Sequence, residues 1–241
     1  FEEYKIDRSI YVVDIRQSLY FKQLFKVLEL YGFHKKMEHV GYEFVALKGG
    51  ETMSSRKGNI IPAKHLIDDV VLRVTKQFPE SPDAKSIALG AIRFAMLKHS
   101  GASKIEFDIE ESVRLDGATG PYVQYAHARI ESIREKAKAL GFSGETANES
   151  ISFHPKEKEL VRELSKFPEL VLEIAQTNEV HKLAHYALRI ADKFHSFYSE
   201  CKVINEEDKE TTENRLYLVS SVQKVLKETL LLIGIAAPKR M

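Results

Sequence analysis

The spacing of hydrophobic residues changes near residue 62 and divides the chain into two parts. Before it, the apolar run "SIYVVD" (residues 9–14) is predicted to be a buried strand, and "HVGYEFVAL" (residues 39–47) is predicted to be a second strand. Between them, residues 16–32 have apolar positions at helical spacing and end in Gly32, which favours a helix stop. A strand, a helix and a second strand form a βαβ unit, which predicts a parallel sheet with a right-handed crossover.

Beyond that point the hydrophobic spacing is helical, and it predicts helices at residues 66–74 and 87–97. The turn-rich segment "KIEFDIEESVRLDGATG" follows, and we interpret it as a domain junction. Further helices, separated early on by the linker "GFSGETANES" and the stop "KFPE", are expected at about residues 120–140, 155–176, 179–200 and 208–234. The predicted fold class is therefore an incomplete α/β domain followed by an all-α bundle, and the chain is predominantly helical.

The composition is that of a globular protein without a bulk charge signal. The 241 residues are 44% hydrophobic and carry a formal net charge of +1, so any nucleic-acid footprint has to be local. Cys201 is the only cysteine, which excludes an intramolecular disulfide and a multi-cysteine zinc site. Since no apolar run is long enough to span a membrane, we expect a soluble, cytoplasmic protein without membrane contact.

A short loop after the second predicted strand, "ETMSSRKGNIIP" (residues 51–62), combines two adjacent cations with two hydroxyls and a glycine. In open α/β sheets, ligands bind at the carboxyl ends of strands, and this loop is expected there. It is either a solvated basic turn or a loop that holds phosphate.

The predicted helix at residues 120–140 carries aromatic residues beside its apolar face. Tyr122, Tyr125 and Arg129 form a stripe that is rotated by about one residue, or roughly 100°, from the aliphatic stripe. Such rings and a guanidinium form either a platform for stacked bases or aromatic packing at a helix crossing. The helix at residues 179–200 repeats the pattern, and its histidines lie at no convincing metal spacing, so no metal site is expected.

Four segments in this order resemble the C-terminal half of the arginyl-tRNA synthetases, which are class I enzymes. They are "MSSRKGN", "TGPYVQYAHARI", "ALRIADKFHSFYSECKVI" and "LLIGIAAPKRM". The first is similar to the class I signature written KMSKS. The third resembles the motif that names the DALR anticodon-binding domain, with Tyr186–Ala187–Leu188–Arg189 in its place. The resemblance implies the C-terminal part of a Rossmann-type catalytic domain in residues 1–117 and a DALR bundle in residues 118–241.

The resemblance also implies the chemistry of an arginine–tRNA ligase. Such an enzyme activates L-arginine with ATP, which enters with Mg²⁺, and transfers the arginyl group to tRNA(Arg). Lys57 and Arg56 are implied to meet the charge that develops on the leaving pyrophosphate. The other residues implied in ATP or arginine binding are Ser54 and Ser55, which are catalytic hydrogen-bond donors, with Met53, Gly58, Asp14 and Gln17.

The helical part is implied to bind the anticodon arm of the tRNA, by stacking more than by charge. The residues implied in this contact are Tyr122, Tyr125, Arg129, His195, Tyr198, Lys202 and Met241. The cations expected to contact phosphates are Lys193, Lys202, Lys239 and Arg240.

Two departures from the family pattern bear on activity. Thr52 stands where the signature has its first lysine, so Lys57 or another cation has to supply that charge. The 241 residues also contain no HIGH signature, which the family carries earlier in its catalytic domain. We therefore expect a monomeric piece of a longer enzyme, cut before Phe1 and inactive alone. The alternative is a non-catalytic RNA-binding or scaffolding module derived from a synthetase, and the sequence upstream of Phe1 would distinguish the two.

Overall fold

In the computed structural model of the chain, which describes residues 1–49, 62–145, 147 and 153–241, the predicted βαβ unit is present. It consists of β1 (Arg8–Asp14), a 3₁₀ turn (Ile15–Gln17), α1 (Ser18–Leu30) and β2 (Lys36–Tyr42). The two strands pair in parallel over their whole length. Gly32 has a φ of +86°, a left-handed conformation that glycine adopts without strain, and it ends the helix as predicted.

The prediction of one strand over residues 39–47 is wrong, because that segment contributes to two different sheets. After β2 ends, the amide of Glu43 donates a hydrogen bond to the carbonyl of Gly101 at 2.8 Å, and the chain leaves β1. It continues as β3 (Val45–Leu47), which pairs in parallel with β4 (Ile105–Phe107). The segment interpreted as a domain junction therefore adds a strand to the first part of the molecule.

Helices account for most of the remaining described residues, and their positions agree with the predicted spacing. They are α2 (Ala63–Gln77), α3 (Ala84–Leu97), α4 (Ile109–Ser112), α5 (Gly120–Ala139), α6 (Pro155–Ser165), α7 (Phe167–Thr177), α8 (His181–Glu200) and α9 (Lys209–Leu232). The segment expected to be helical at residues 155–176 is divided at Lys166, because the ring of Pro168 cannot continue α6. Within the described residues, no helix is both long and apolar enough to cross a bilayer.

Buried apolar side chains form two clusters. The larger one fills the bundle and includes the stripes predicted on α5 and α8, which are Val123, Ala126, Ile130, Ile133, Ala137, Leu183, Ala187, Ala191 and Phe194. The smaller one joins α2 and α3 to Phe107 of β4. The two clusters meet where α3 crosses α5, at Gly90 and Gly120. A Cβ atom at Gly120 would lie 2.5 Å from the carbonyl oxygen of Gly90, so the two backbones are in direct contact.

A polar network forms a second connection between the two parts. Arg8 on β1 donates hydrogen bonds to the carbonyl of Ala175 at 2.6 Å, to the side chain of Asn178 at 3.0 Å, and to Glu38 on β2. Asn178 also donates to Glu38 at 2.7 Å. Asn178 ends α7 with a φ of +60°, a left-handed conformation that asparagine tolerates better than most residues. The sheet and the bundle are therefore joined by half-buried charged hydrogen bonds.

This network predicts a dependence of stability on pH. The Arg8 guanidinium, and after it Lys36, lowers the pKa of Glu38 to about 2 from its usual 4.5. Because the folded pKa is the lower one, the contribution of Glu38 to stability is present above about pH 4.5 and lost as the pH falls towards 2. Over this window, the free energy of unfolding of Glu38→Gln should therefore decrease by about 1 kcal/mol less than that of the wild type.

Denaturant unfolding of both proteins at several pH values between about 2.5 and 5 measures the difference. This range covers most of the window in which Glu38 titrates. Glu29→Gln is the matched control, since that carboxylate pairs with Lys26 on an exposed face of α1. A pH dependence in Glu38→Gln that equals that of the wild type would contradict the assignment.

Candidate nucleic-acid interface

Asp14 and Gln17, implied in the ATP and arginine pocket, lie at the carboxyl end of β1. The carboxylate of Asp14 accepts hydrogen bonds from the amide of Arg16 at 2.8 Å and from its guanidinium at 2.9 and 2.6 Å. These bonds lower the pKa of Asp14 to about 2, so the carboxylate is charged at neutral pH. The same guanidinium lies 4.3 Å from the ring centroid of Phe44. Gln17 is exposed beside this pair.

The loop similar to the KMSKS signature lies outside the described residues. Its predicted functional residues are Met53, Ser54, Ser55, Arg56, Lys57 and Gly58, with Thr52 before them. The described flanks are β3 on one side and α2 on the other, so the loop leaves from the carboxyl end of a parallel strand. That position is the one at which open α/β sheets bind ligands.

Helix α5 supports the predicted aromatic platform. The Thr119 hydroxyl accepts a hydrogen bond from the amide of Tyr122 at 3.2 Å and caps the helix. The aliphatic face of the helix is buried in the bundle, which leaves Tyr122, Tyr125 and Arg129 half-buried along its margin. The predicted rotation between the two stripes is therefore confirmed.

His195 of α8 lies against both tyrosines. Its ring centroid is 5.2 Å from that of Tyr122 and 6.3 Å from that of Tyr125, and the second pair is nearly parallel, with 21° between the planes. Burial, and then the charge of Arg129, lowers the pKa of His195, so the ring is neutral at pH 7. Its Nε2 atom is buried and has no hydrogen-bond partner among the described residues.

Arg129 joins the tyrosines of the two helices. Its Nη1 atom donates a hydrogen bond to the Tyr125 hydroxyl at 2.9 Å, and its guanidinium carbon lies 4.5 Å from the ring centroid of Tyr198. These three side chains, with Met241, line an open groove of about 590 Å³. The structure thus brings together residues that are separated by more than 100 positions in the sequence.

Of the four cations expected to contact phosphates, three have carboxylate partners. Their shortest nitrogen–oxygen distances are 2.7 Å for Lys193 to Glu159, 3.7 Å for Lys239 to Glu131, and 3.5 Å for Arg240 to Glu135. Lys202 is exposed just beyond α8 and makes no ion pair with any residue that the structure describes. Lys202 is therefore the cation among the four that could meet a phosphate without first losing a carboxylate partner.

Other residues of the interface were missed in the sequence. Asp192 accepts a hydrogen bond from the Tyr122 hydroxyl at 2.7 Å, and burial together with this bond raises the pKa of Tyr122. Ser81 and Lys136 line the groove, whereas Asp192 lies beside it. Helical spacing could have identified two of them, since Asp192 precedes His195 by three positions and Lys136 follows Arg129 by seven. Ser81 comes from the turn between α2 and α3, and no local pattern predicts that contact.

The residues that resemble the DALR motif face away from the groove. Tyr186 precedes His195 by nine positions, or two and a half turns of α8, which places it on the opposite side. Its ring is fully buried against Phe167, and its hydroxyl donates a hydrogen bond to the carbonyl of Glu163 at 2.9 Å. Arg189 donates to the carboxylate of Glu163 at 2.8 Å. This motif therefore holds α8 against the corner between α6 and α7.

Two family models match the chain, one in each part. The model described as "tRNA synthetases class I (R), catalytic domain" matches residues 1–109, and the model described as "DALR anticodon binding domain" matches residues 123–241.

Proteins of known name match both parts together. The arginine–tRNA ligase of Bdellovibrio bacteriovorus is 38% identical and covers 100% of this chain, which spans 43% of that protein. The arginine–tRNA ligase of Lactococcus lactis is 37% identical, with coverages of 97% and 42%. Among solved structures, the arginyl-tRNA synthetase of Thermus thermophilus has a TM-score of 0.86 at 34% identity, and it covers 98% of this chain, which spans 42% of that one. The chain thus spans less than half the length of the relatives that it matches.

The position of Arg189 predicts a structural role. Glu163 is almost fully buried; burial raises its pKa, but hydrogen bonds from Lys166 and Arg189 outweigh that effect and keep the carboxyl charged. Arg189→Met removes one of these bonds, and we expect the free energy of unfolding to fall by about 1–2 kcal/mol.

Denaturant unfolding measures this change against Arg162→Met, the same substitution at an exposed position of α6. The control should change stability by less than about 0.5 kcal/mol. Equal losses in the two variants would show that the bond to Glu163 does not stabilise the bundle.

Proposed function

The chain belongs to the arginyl-tRNA synthetase family, and we propose that it binds the anticodon arm of tRNA(Arg) as part of an arginine–tRNA ligase. The complete enzyme would activate L-arginine with ATP, release pyrophosphate and transfer the arginyl group to the tRNA. Within that enzyme, the described residues would contribute mainly to recognition of the tRNA.

The observation that carries the proposal is the groove in which Tyr125, Arg129 and Tyr198 meet the C-terminal Met241. Anticodon bases are unpaired and can leave the stack of the loop, and tyrosine rings and guanidinium planes are surfaces on which such bases stack. The groove is open to solvent on the side where these groups are half-exposed. Stacking depends little on net charge, which agrees with a chain whose formal charge is only +1.

His195 would add a polar contact beside the groove, although it does not line the groove itself. Its ring lies against both tyrosines of α5, and its buried Nε2 atom has no partner in the part of the chain that is described. Leaving a buried polar atom unpaired costs about 1–3 kcal/mol, and a hydrogen bond to the edge of a base would remove that cost once the neighbouring side chains move and expose Nε2. Tyr122, held by Asp192, would keep the imidazole in place. Lys202 would contact the phosphate backbone.

We propose the catalytic roles on the resemblance to the class I domain and on the position of the loop after β3. Lys57 and Arg56 would stabilise the charge on pyrophosphate, with hydrogen bonds from Ser54, Ser55 and the backbone of Gly58. Asp14, Gln17 and Met53 would line the pocket for ATP and arginine. Mg²⁺ would enter as the counter-ion of ATP.

Three further features belong to the same proposal. The anticodon-binding domain would begin at residue 118, directly before Thr119 caps α5. The protein would act as a monomer, and its place of action would be the cytoplasm, where tRNA is charged.

Replacing Tyr125 tests the proposal. Tyr125→Ala removes a stacking surface that is worth roughly 1–3 kcal/mol per base, so affinity for the anticodon stem-loop of tRNA(Arg) should fall about 5- to 150-fold. Tyr125→Phe keeps the ring and loses only the hydroxyl that accepts from Arg129, so its affinity should stay within about threefold of the wild type.

Fluorescence titration of a labelled stem-loop gives the affinities, and thermal unfolding gives Tm for each variant. A lower Tm with unchanged stem-loop affinity in Tyr125→Ala would mean that the ring only seals a helix crossing. A wild-type chain with no preference for this stem-loop over a scrambled hairpin would contradict the proposed function as a whole.

A further inference from the structure

After a turn at Ile233 and Gly234, the remaining residues of the chain run back along α5. Carbonyl oxygens of alternate residues accept hydrogen bonds from neighbouring helices: Gly234 from Arg93, Ala236 from Gln124 at 2.8 Å, and Pro238 from His127 at 2.8 Å. Ile233 and Ile235 are buried in the core of the bundle. The tail is therefore held on two sides.

A third face of α5, distinct from its apolar face and its aromatic face, follows this tail. It consists of four polar residues at helical spacing, Gln124, His127, Glu131 and Glu135. Their partners are the tail residues Ala236, Pro238, Lys239 and Arg240, in the same order. The helix thus sets the position of the tail over three turns.

The two contacts at the start of this face are the strong ones. Gln124 is 0% and His127 is 4% exposed, and each lies within ordinary hydrogen-bond distance of a carbonyl oxygen. A carbonyl only accepts, so the Nδ1 atom of His127 carries the proton and donates. Burial lowers the pKa of His127, which is therefore neutral at pH 7. The two ion pairs further along involve lysine and arginine side chains that are mostly exposed, and such pairs contribute little.

The end of the tail completes the groove described above. Met241 packs against the cluster of α2 and α3, and the carbonyl of Arg240 accepts a hydrogen bond from Ser81 at 3.4 Å. Both tail residues line the groove together with Tyr125 and Arg129. Neither Gln124 nor His127 lines it.

We propose that Gln124 and His127 are positioning residues for anticodon recognition, because they hold the C-terminal tail where Arg240 and Met241 form part of the base-binding groove. They act through the tail and do not contact the RNA. This inference rests on the proposed function, and it assigns a role to two polar residues of the segment "TGPYVQYAHARI" that stacking does not explain.

A first experiment measures the tail without RNA. His127→Leu removes the donor and keeps an apolar side chain in the buried site, whereas His127→Asn keeps an N–H donor near the position of Nδ1. Release of residues 239–241 by a carboxypeptidase should be about tenfold faster in His127→Leu and close to wild type in His127→Asn. Glu135→Gln, which loses only an exposed contact to the same tail, is the matched control and should be cleaved like the wild type. An unchanged cleavage rate in His127→Leu would overturn the inference.

A second experiment asks whether His127 acts through the tail. His127→Leu and deletion of residues 239–241 are made separately and together. The affinity for the anticodon stem-loop of tRNA(Arg) is then measured for the wild type, the two single variants and the combined variant. In the full chain, His127→Leu should weaken binding roughly tenfold, and in the shortened chain by less than about twofold. His127→Asn should recover most of the loss.

The outcomes separate this inference from the proposed function. Equal loss of affinity in the full and the shortened chain would mean that His127 acts through α5 itself, and the inference would be wrong. Wild-type affinity in His127→Leu would also overturn the inference while leaving the proposed function intact. A wild-type chain that does not bind the stem-loop at all would refute the proposed function, and anticodon positioning with it.

Discussion

Helices α3 and α5 touch backbone to backbone, and this contact positions α5, which carries Tyr125 and Arg129, against the first part of the molecule. A side chain at Gly90 would begin 2.6 Å from the amide group of Gln124, and one at Gly120 would begin 2.5 Å from the carbonyl oxygen of Gly90. Because neither position has room for a Cβ atom, these glycines set the distance between α3, in the first part of the molecule, and α5, in the bundle. The same crossing places Gln124 where it reaches the carbonyl of Ala236.

From that crossing onward, α5 has to satisfy three neighbours, and its sequence divides into three faces. Residues about 100° apart on a helix point in different directions, so consecutive residues can serve the core, the groove and the tail in turn. Val123 packs in the bundle, Gln124 holds the tail, and Tyr125 faces the groove. Stability and the proposed recognition are therefore coupled in one helix. The motif on α8 that resembles DALR contributes differently, since Tyr186 and Arg189 close a corner on the far side of that helix.

Periodicity was sufficient to predict the elements and faces whose partners are local in sequence. The stripes of α5 and α8 follow from a spacing of 3.6 residues, the strands of the βαβ unit from short apolar runs, and the helix stop at Gly32 from the conformational freedom of glycine. Contacts between distant segments were not predictable in that way. The strand expected at residues 39–47 is divided because its second half pairs with β4, about 60 residues later. Met241 entered the predicted site by resemblance alone, since only the folded tail brings it to Tyr125.

We propose that unpaired anticodon bases, more than phosphates, bind in this groove. The most direct test is a binding titration of the wild-type chain with two stem-loops of tRNA(Arg), one intact and one with abasic sites at the three anticodon positions. A third stem-loop, with abasic sites elsewhere in the loop, controls for altered loop flexibility. We expect removal of the anticodon bases to weaken binding at least about tenfold and the control to change it by less than about threefold. Equal affinity for the intact and the abasic anticodon would contradict the account and leave only contacts to the phosphate backbone.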